Sequence, residues 1–227
     1  MENLSEHLND LRKRYRDIFL QCSRDINNLI YALKPESFSG EIFEKYPEAS
    51  EGRLWQKNAI KTLQASLSKE LNDGFSKMKK YYSESGCIGC GTCCKLACSE
   101  FSPEELEKKA KNGDSFAQQF IQTFVPYLTT DEVEKVFPEY LKMLKDNNES
   151  GYYFYHCPKI TEDNKCPDYS NRPQICRDFP DNPIAFLPLS CGYMDWKLKS
   201  EHISLKLNAE SEIIHFYIDK IKGLYEE

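Results

Sequence analysis

The chain has 227 residues, 40% hydrophobic and 29% charged, with a formal net charge of −6. Such a chain is globular and long enough to bury a core, and its acidity excludes a global basic footprint for nucleic acid or a cationic membrane face. No apolar run approaches the roughly 20 residues that span a bilayer. The opening Met1-Glu2-Asn3-Leu4-Ser5-Glu6 has neither the basic nor the apolar region of a secretory signal. The expectation is a cytoplasmic chain without nucleic-acid or membrane partners.

Apolar residues recur at Leu4, Leu8, Leu11, Tyr15, Ile18, Cys22, Ile26, Leu29 and Leu33, one face of a helix that Pro35 ends. Trp55, Ala59, Leu63, Leu67, Leu71, Phe75, Met78 and Tyr82 predict a second helix, with Gly74 a weak spot within it. Gly86, Gly89 and Gly91 interleave with cysteines and predict a loop. Ser102-Pro103-Glu104-Glu105 is a helix start with N-cap, first-turn proline and capping box. Further helices are expected near 115–125 and 130–145, the latter restarted at Pro138. Tyr152–Tyr155 is β-prone, and Asp163-Asn164 predicts a turn. Trp196, Ile203, Leu207, Ile214, Tyr217, Ile221 and Leu224 fit one long terminal helix. The expected fold is mainly α, a helical shell around an irregular, metal-stapled cysteine centre with at most a small β-hairpin. Its expected regions are 1–83 (helical), 84–195 (cysteine cluster, with a helical insertion at 99–150) and 196–227 (a helix packing back on the first region).

Ten cysteines carry the chemistry, nine of them in two blocks, Cys87–Cys98 and Cys157–Cys191. In a reducing compartment such thiols bind metal or react more often than they pair as disulfides. Cys87-Ile88-Gly89-Cys90-Gly91-Thr92-Cys93-Cys94 is a C-x2-C-x2-C-C run. A C-x2-C step aims two thiolates at one ion, and the glycines permit the backbone angles this needs. The spacing of Cys87, Cys90 and Cys93 is that of the first three ligands in a ferredoxin-type run, whose distant fourth cysteine often precedes proline. Cys157-Pro158 and Cys166-Pro167 offer such partners. Adjacent Cys93 and Cys94 project differently, so one of them should serve a second site or the first site's outer shell. Cys22 on its apolar helix face reads as core. Cys98 reads as buried filler, His156 as a hydrogen-bonded shell residue, and Arg172 and Arg177 as salt-bridging or sulfur-facing cations.

The order Cys87–Cys94, Cys157-Pro-Lys-Ile, Cys166-Pro-Asp-Tyr, Arg172-Pro173, Cys176-Arg177-Asp178-Phe179-Pro180 and Cys191 resembles the CxxCxxCC family of YkgJ-like cysteine cluster proteins over roughly 84–195. Two departures are Pro167-Asp168 ahead of Tyr169 and the long insertion at 99–150. The resemblance implies metal chelation by Cys87, Cys90, Cys93, Cys94, Cys157, Cys166, Cys176 and Cys191. The cofactor is then an iron–sulfur cluster or zinc, and the triple spacing together with the two Cys-Pro steps tilts the reading toward iron–sulfur. A radical S-adenosylmethionine C-x3-C-x2-C run, a P-loop and a G-x-G-x-x-G fingerprint are absent from the sequence. The expected function is redox or cluster-dependent chemistry on a protein partner. The alternatives are a non-catalytic zinc-stabilised interaction module and, by resemblance to flagellin methylases, a protein lysine N-methylase.

Overall fold

The computed structural model describes residues 4–148 and 150–226. Met1–Asn3, Glu149 and Glu227, parts of the expected regions 1–83, 99–150 and 196–227, lie outside the described residues. Among the described residues the protein is mainly α, with nine α-helices (α8 being Gln174–Asp178) and one three-stranded sheet. Its contacts divide it into two compact units.

The helical unit comprises Asp10–Glu84 with Asp195–Glu227. It is built from α1 (Leu4–Ala32, entering from the other unit), α2 (Glu51–Ser83) and α9 (Met194–Gly223). One apolar stripe from each helix meets in a shared core of Cys22, Ile26, Ile30, Trp55, Ala59, Leu63, Leu67, Ala209, Ile213, Ile214, Ile218 and Ile221. Leu11 and Ile18 are half-buried at its margin. Ser50 caps α2 by accepting from the Arg53 amide. Trp55 and Gln56 find partners for their buried polar atoms, whereas Ser200 Oγ and Glu210 Oε2 have none among the described residues. The Trp55 indole donates to the Ile30 carbonyl at 2.9 Å, and Gln56 donates to the Ile42 and Glu44 carbonyls while accepting from the Tyr225 hydroxyl at 2.6 Å. Gly74 is no weak spot. A Cβ there would lie 2.7 Å from Leu207 Cδ1 and 3.2 Å from Ile203 Cγ2, so the glycine lets α2 and α9 approach closely, and packing outweighs helix propensity. On α9, Lys197 and Glu201 form a buried ion pair at 2.9 Å, and Arg14 of α1 donates to the same carboxylate at 2.6 Å.

The cysteine unit comprises Ser85–Met194 with the described part of Met1–Asn9. Its sheet runs in the order β1-β3-β2, with β1 (Ala97–Ser99) and β2 (Val125–Pro126) each antiparallel to the central β3 (Tyr153–His156). This goes beyond a single hairpin. The strands are separated by long excursions, so no tight turn announces their pairing in the sequence. Pro126, which cannot donate to a ladder, sits on an edge strand where none is required. Successive residues of β3 face opposite sides. Tyr155 packs into a cluster of Leu106, Ala110, Ala117 and Phe120 from α4 (Pro103–Lys111) and α5 (Ser115–Thr123), while Phe154 packs against Val133, Leu141 and Leu144 from α6 (Thr130–Val136) and α7 (Pro138–Asp146). The capping box at α4 forms as the sequence predicts, with Ser102 and Glu105 exchanging backbone hydrogen bonds of 3.2 and 2.8 Å. The turn at Asp163-Asn164 also forms, with Asn164 left-handed (φ 65°) and Thr161 and Lys165 bridged across it.

Candidate metal centre

The first cysteine block is a loop closed by one short helix, α3 (Thr92–Lys95). Gly89 (φ 71°) turns its amide onto the Cys87 sulfur, N to Sγ 3.4 Å. Gly91 (φ 78°) caps α3, and its carbonyl accepts from the Cys94 and Lys95 amides. Both need the left-handed region that glycine enters without strain. Gly91 also has no room for a side chain, since a Cβ would meet Asn164 at 2.7 Å and Ile160 at 3.1 Å. The loop of the second block therefore rests directly on the first.

The sheet brings the blocks together. The β1–β3 ladder pairs Ala97 with Tyr155, and one further bond, from the Cys157 amide to the Cys94 carbonyl at 2.7 Å, extends it into both cysteine blocks. At the other end, a turn with the Cys191 amide donating to the Pro188 carbonyl delivers Cys191. Gly192 follows it so closely against Gly86 that a Cβ would stand 2.0 Å from the Gly86 carbonyl oxygen.

All ten cysteines are free thiols, and the eight candidates are half-buried. Their charges are felt within and between the two blocks. Cys93 interacts with Cys87 and Cys90, and Cys191 interacts with Cys90 and Cys87 and hydrogen-bonds Cys90. Cys176 interacts with Cys94, Cys157 and Cys166. Cys93 and Cys94 interact with each other, the Cys93 thiol donating. Carrying that proton raises Cys93, with burial adding to it, while Cys94, the acceptor, is lowered to about 7 despite burial and with help from Arg172. Burial and the neighbouring thiols push Cys176 up to about 11, and burial likewise raises Cys191. Among the described residues, no three His, Cys, Asp or Glu side chains converge as the ligands of one ion would. The donor chemistry nonetheless fits a soft metal: eight thiols from the two blocks, with a backbone amide facing the Cys87 sulfur.

Cys157 and Cys166, of the two Cys-Pro steps, interact electrostatically with Cys176, and Cys191 with Cys87 and Cys90. Cys22 is core, 6% exposed. Cys98 lies on β1 with its thiol donating to the Tyr140 hydroxyl at 3.7 Å, and burial raises it. His156 stacks on Tyr127, ring centroids 4.7 Å apart. Arg177 donates from Nε to the Arg172 carbonyl at 2.8 Å. The sequence reading missed Tyr169, whose hydroxyl donates to the Cys87 carbonyl at 3.1 Å. It also missed Gly192; the signal available was a glycine directly after a candidate ligand.

Against family models, residues 86–199, about half the chain, match the CxxCxxCC model, described as “Putative zinc- or iron-chelating domain”. The chain belongs to the CxxCxxCC family. The matched span holds all eight candidate thiols of this CxxCxxCC domain and the whole of its three-stranded sheet. No curated protein and no solved structure matches the chain. No described helix is long and apolar enough to cross a membrane.

The Gly86–Gly192 contact yields a test within the domain. Gly192→Ala should force the backbone apart beside Cys191 and cost about 3 kcal/mol, the upper end for overpacking. Gly86→Ala, whose Cβ would meet nothing within 4 Å, should stay within about 0.5 kcal/mol of the parent. Thermal unfolding followed through metal release compares the two.

Proposed function

We propose that the domain holds iron–sulfur in its thiolate sets and acts in redox or cluster-dependent chemistry on a protein partner in the cytoplasm. The observation carrying this reading is the first set: three run cysteines at ferredoxin-type spacing, joined by one remote cysteine, Cys191. A bound cluster would supply one-electron chemistry. The chain contributes the ligands and the Gly89 amide that faces the Cys87 sulfur. A second reading, a zinc-stabilised interaction module, is favoured by the other set. Cys94, Cys157, Cys166 and Cys176 come from four separate segments without a run, as closed structural zinc sites permit.

Anaerobic purification with metal and sulfide analysis separates the two. Iron with acid-labile sulfide and a brown colour is the expected result. A colourless protein with about two zinc ions per chain and no sulfide would select the interaction module.

A further inference from the structure

The helical unit carries an aromatic cage closed on a cation. Lys34, just past the end of α1, lays its ammonium over three rings from three segments of the chain. Nζ lies 5.5 Å from the Tyr31 centroid, 5.3 Å from that of Trp55 and 5.9 Å from that of Phe38. Tyr31 and Phe38 each meet the Trp55 ring edge to face, with centroids 5.5 and 6.0 Å apart. Phe38 is wedged against two glycines: a Cβ at Gly40 or Gly52 would stand 2.6 or 2.7 Å from its Cζ. Two exposed carboxylates rim the cage. Glu41 accepts from the Tyr31 hydroxyl at 2.5 Å, and Glu44 accepts at 2.6 Å from the hydroxyl of Tyr46, whose ring packs on Phe38.

The rings are all that Lys34 gains there. Among the described residues its ammonium makes no hydrogen bond and no ion pair. A lysine ammonium is strongly hydrated and carries three donors, so a wall of ring faces leaves those donors unanswered. A trimethylammonium group has the same charge and no N–H, and it meets the same rings without that loss. The acidic rim favours a cation of either kind. We propose that Tyr31, Phe38 and Trp55 form a binding site for a trimethylammonium group, which Lys34 fills from within the chain until such a ligand displaces it. The cage lies outside the family-matched residues 86–199 and uses none of the candidate thiols.

The test titrates the full chain calorimetrically with two probes, choline and N-acetyl-trimethyllysine amide. Lys34→Ala empties the cage and should bind at least one of them about tenfold more tightly than the parent, where Lys34 competes. The bound N-methyl protons should shift upfield in the NMR spectrum, as protons held over ring faces do. Adding Phe38→Leu removes one face and should weaken binding about tenfold. The neutral isostere of choline, 3,3-dimethylbutanol, should bind about tenfold more weakly than choline. A folded Lys34→Ala chain that binds neither probe would overturn the proposal, and so would one that binds the isostere as tightly as choline. Lys34→Ser gives the same reading where the alanine variant does not fold. Tighter binding of choline points to a free quaternary amine, and tighter binding of the trimethyllysine probe to a methylated protein; either supports the cage.

Discussion

Stripping the metal should unfold residues 85–194 and leave the three long helices folded. The apolar support in the cysteine unit is small: one cluster of five buried residues around Tyr155 and another of three around Val133. Neither includes a residue between Cys157 and Phe179 among its buried members, and that stretch is held by turns and by contacts among its thiols. Structural zinc contributes on the order of 10–16 kcal/mol in small peptides, comparable to the whole stability of a domain, roughly 5–15 kcal/mol. Chelation, or Cys90→Ala or Cys176→Ala, should therefore make 85–98 and 151–194 protease-sensitive. Cys22→Ala removes one small core side chain, should cost about 1 kcal/mol, and should keep the metal. Both tryptophans, Trp55 and Trp196, belong to the helical unit, so their emission reports that unit alone and should barely change. Native protection persisting across 151–194 in metal-free protein would show the thiols to be carried on a preformed scaffold.

Replacing Glu201 by alanine should destabilise the helical unit by about 3–5 kcal/mol. The Lys197 and Glu201 side chains are only 4% and 5% exposed, and removing the carboxylate takes away the ion-pair partner of a buried ammonium. The double change Lys197→Met with Glu201→Leu removes both charges and should recover most of the loss. The pair also sets an acid limit. Burial pushes the Glu201 carboxyl up, but hydrogen bonds from Lys197 and Arg14 outweigh it and hold the group below the usual carboxylate range. A depressed carboxylate contributes stability that is fully present above its unfolded value, near 4.3, and is lost as pH falls through its folded value. Urea titrations read by tryptophan emission should show the midpoint constant above about pH 5 and falling below about pH 4, with the fall weakened in the double variant.

The three long helices were legible because each writes a stripe at helical spacing that one core receives, from Ile26 and Ile30 through Leu63 to Ile214 and Ile221. The α4 start was legible because a capping box is a local device, complete within Ser102–Glu105. The family was legible because ligand order and flanking prolines travel with the sequence. What escaped depends on contacts between distant residues. Ala97-Cys98-Ser99 has no strand character of its own and becomes β1 only by pairing with Tyr153–Tyr155. The grouping of Cys191 with Cys87 and Cys90 follows from the Gly86–Gly192 approach, which no spacing encodes. Gly74 was misread because propensity speaks for an isolated helix, whereas Leu207 decides what fits there.

In the β1–β3 ladder, Ser99 and Tyr153 stand directly opposite each other, their Cα atoms about 5 Å apart as in any antiparallel pair. The chain departs the thiol-bearing ladder and rejoins it on the same rung, so residues 100–152 are an excursion whose two ends already coincide. Closing such an excursion costs only about 0.6 kcal/mol more for each doubling of its length. Extra residues in the outer loops of that segment should therefore cost little, provided that its clusters still cover Phe154 and Tyr155 on the two faces of the central strand.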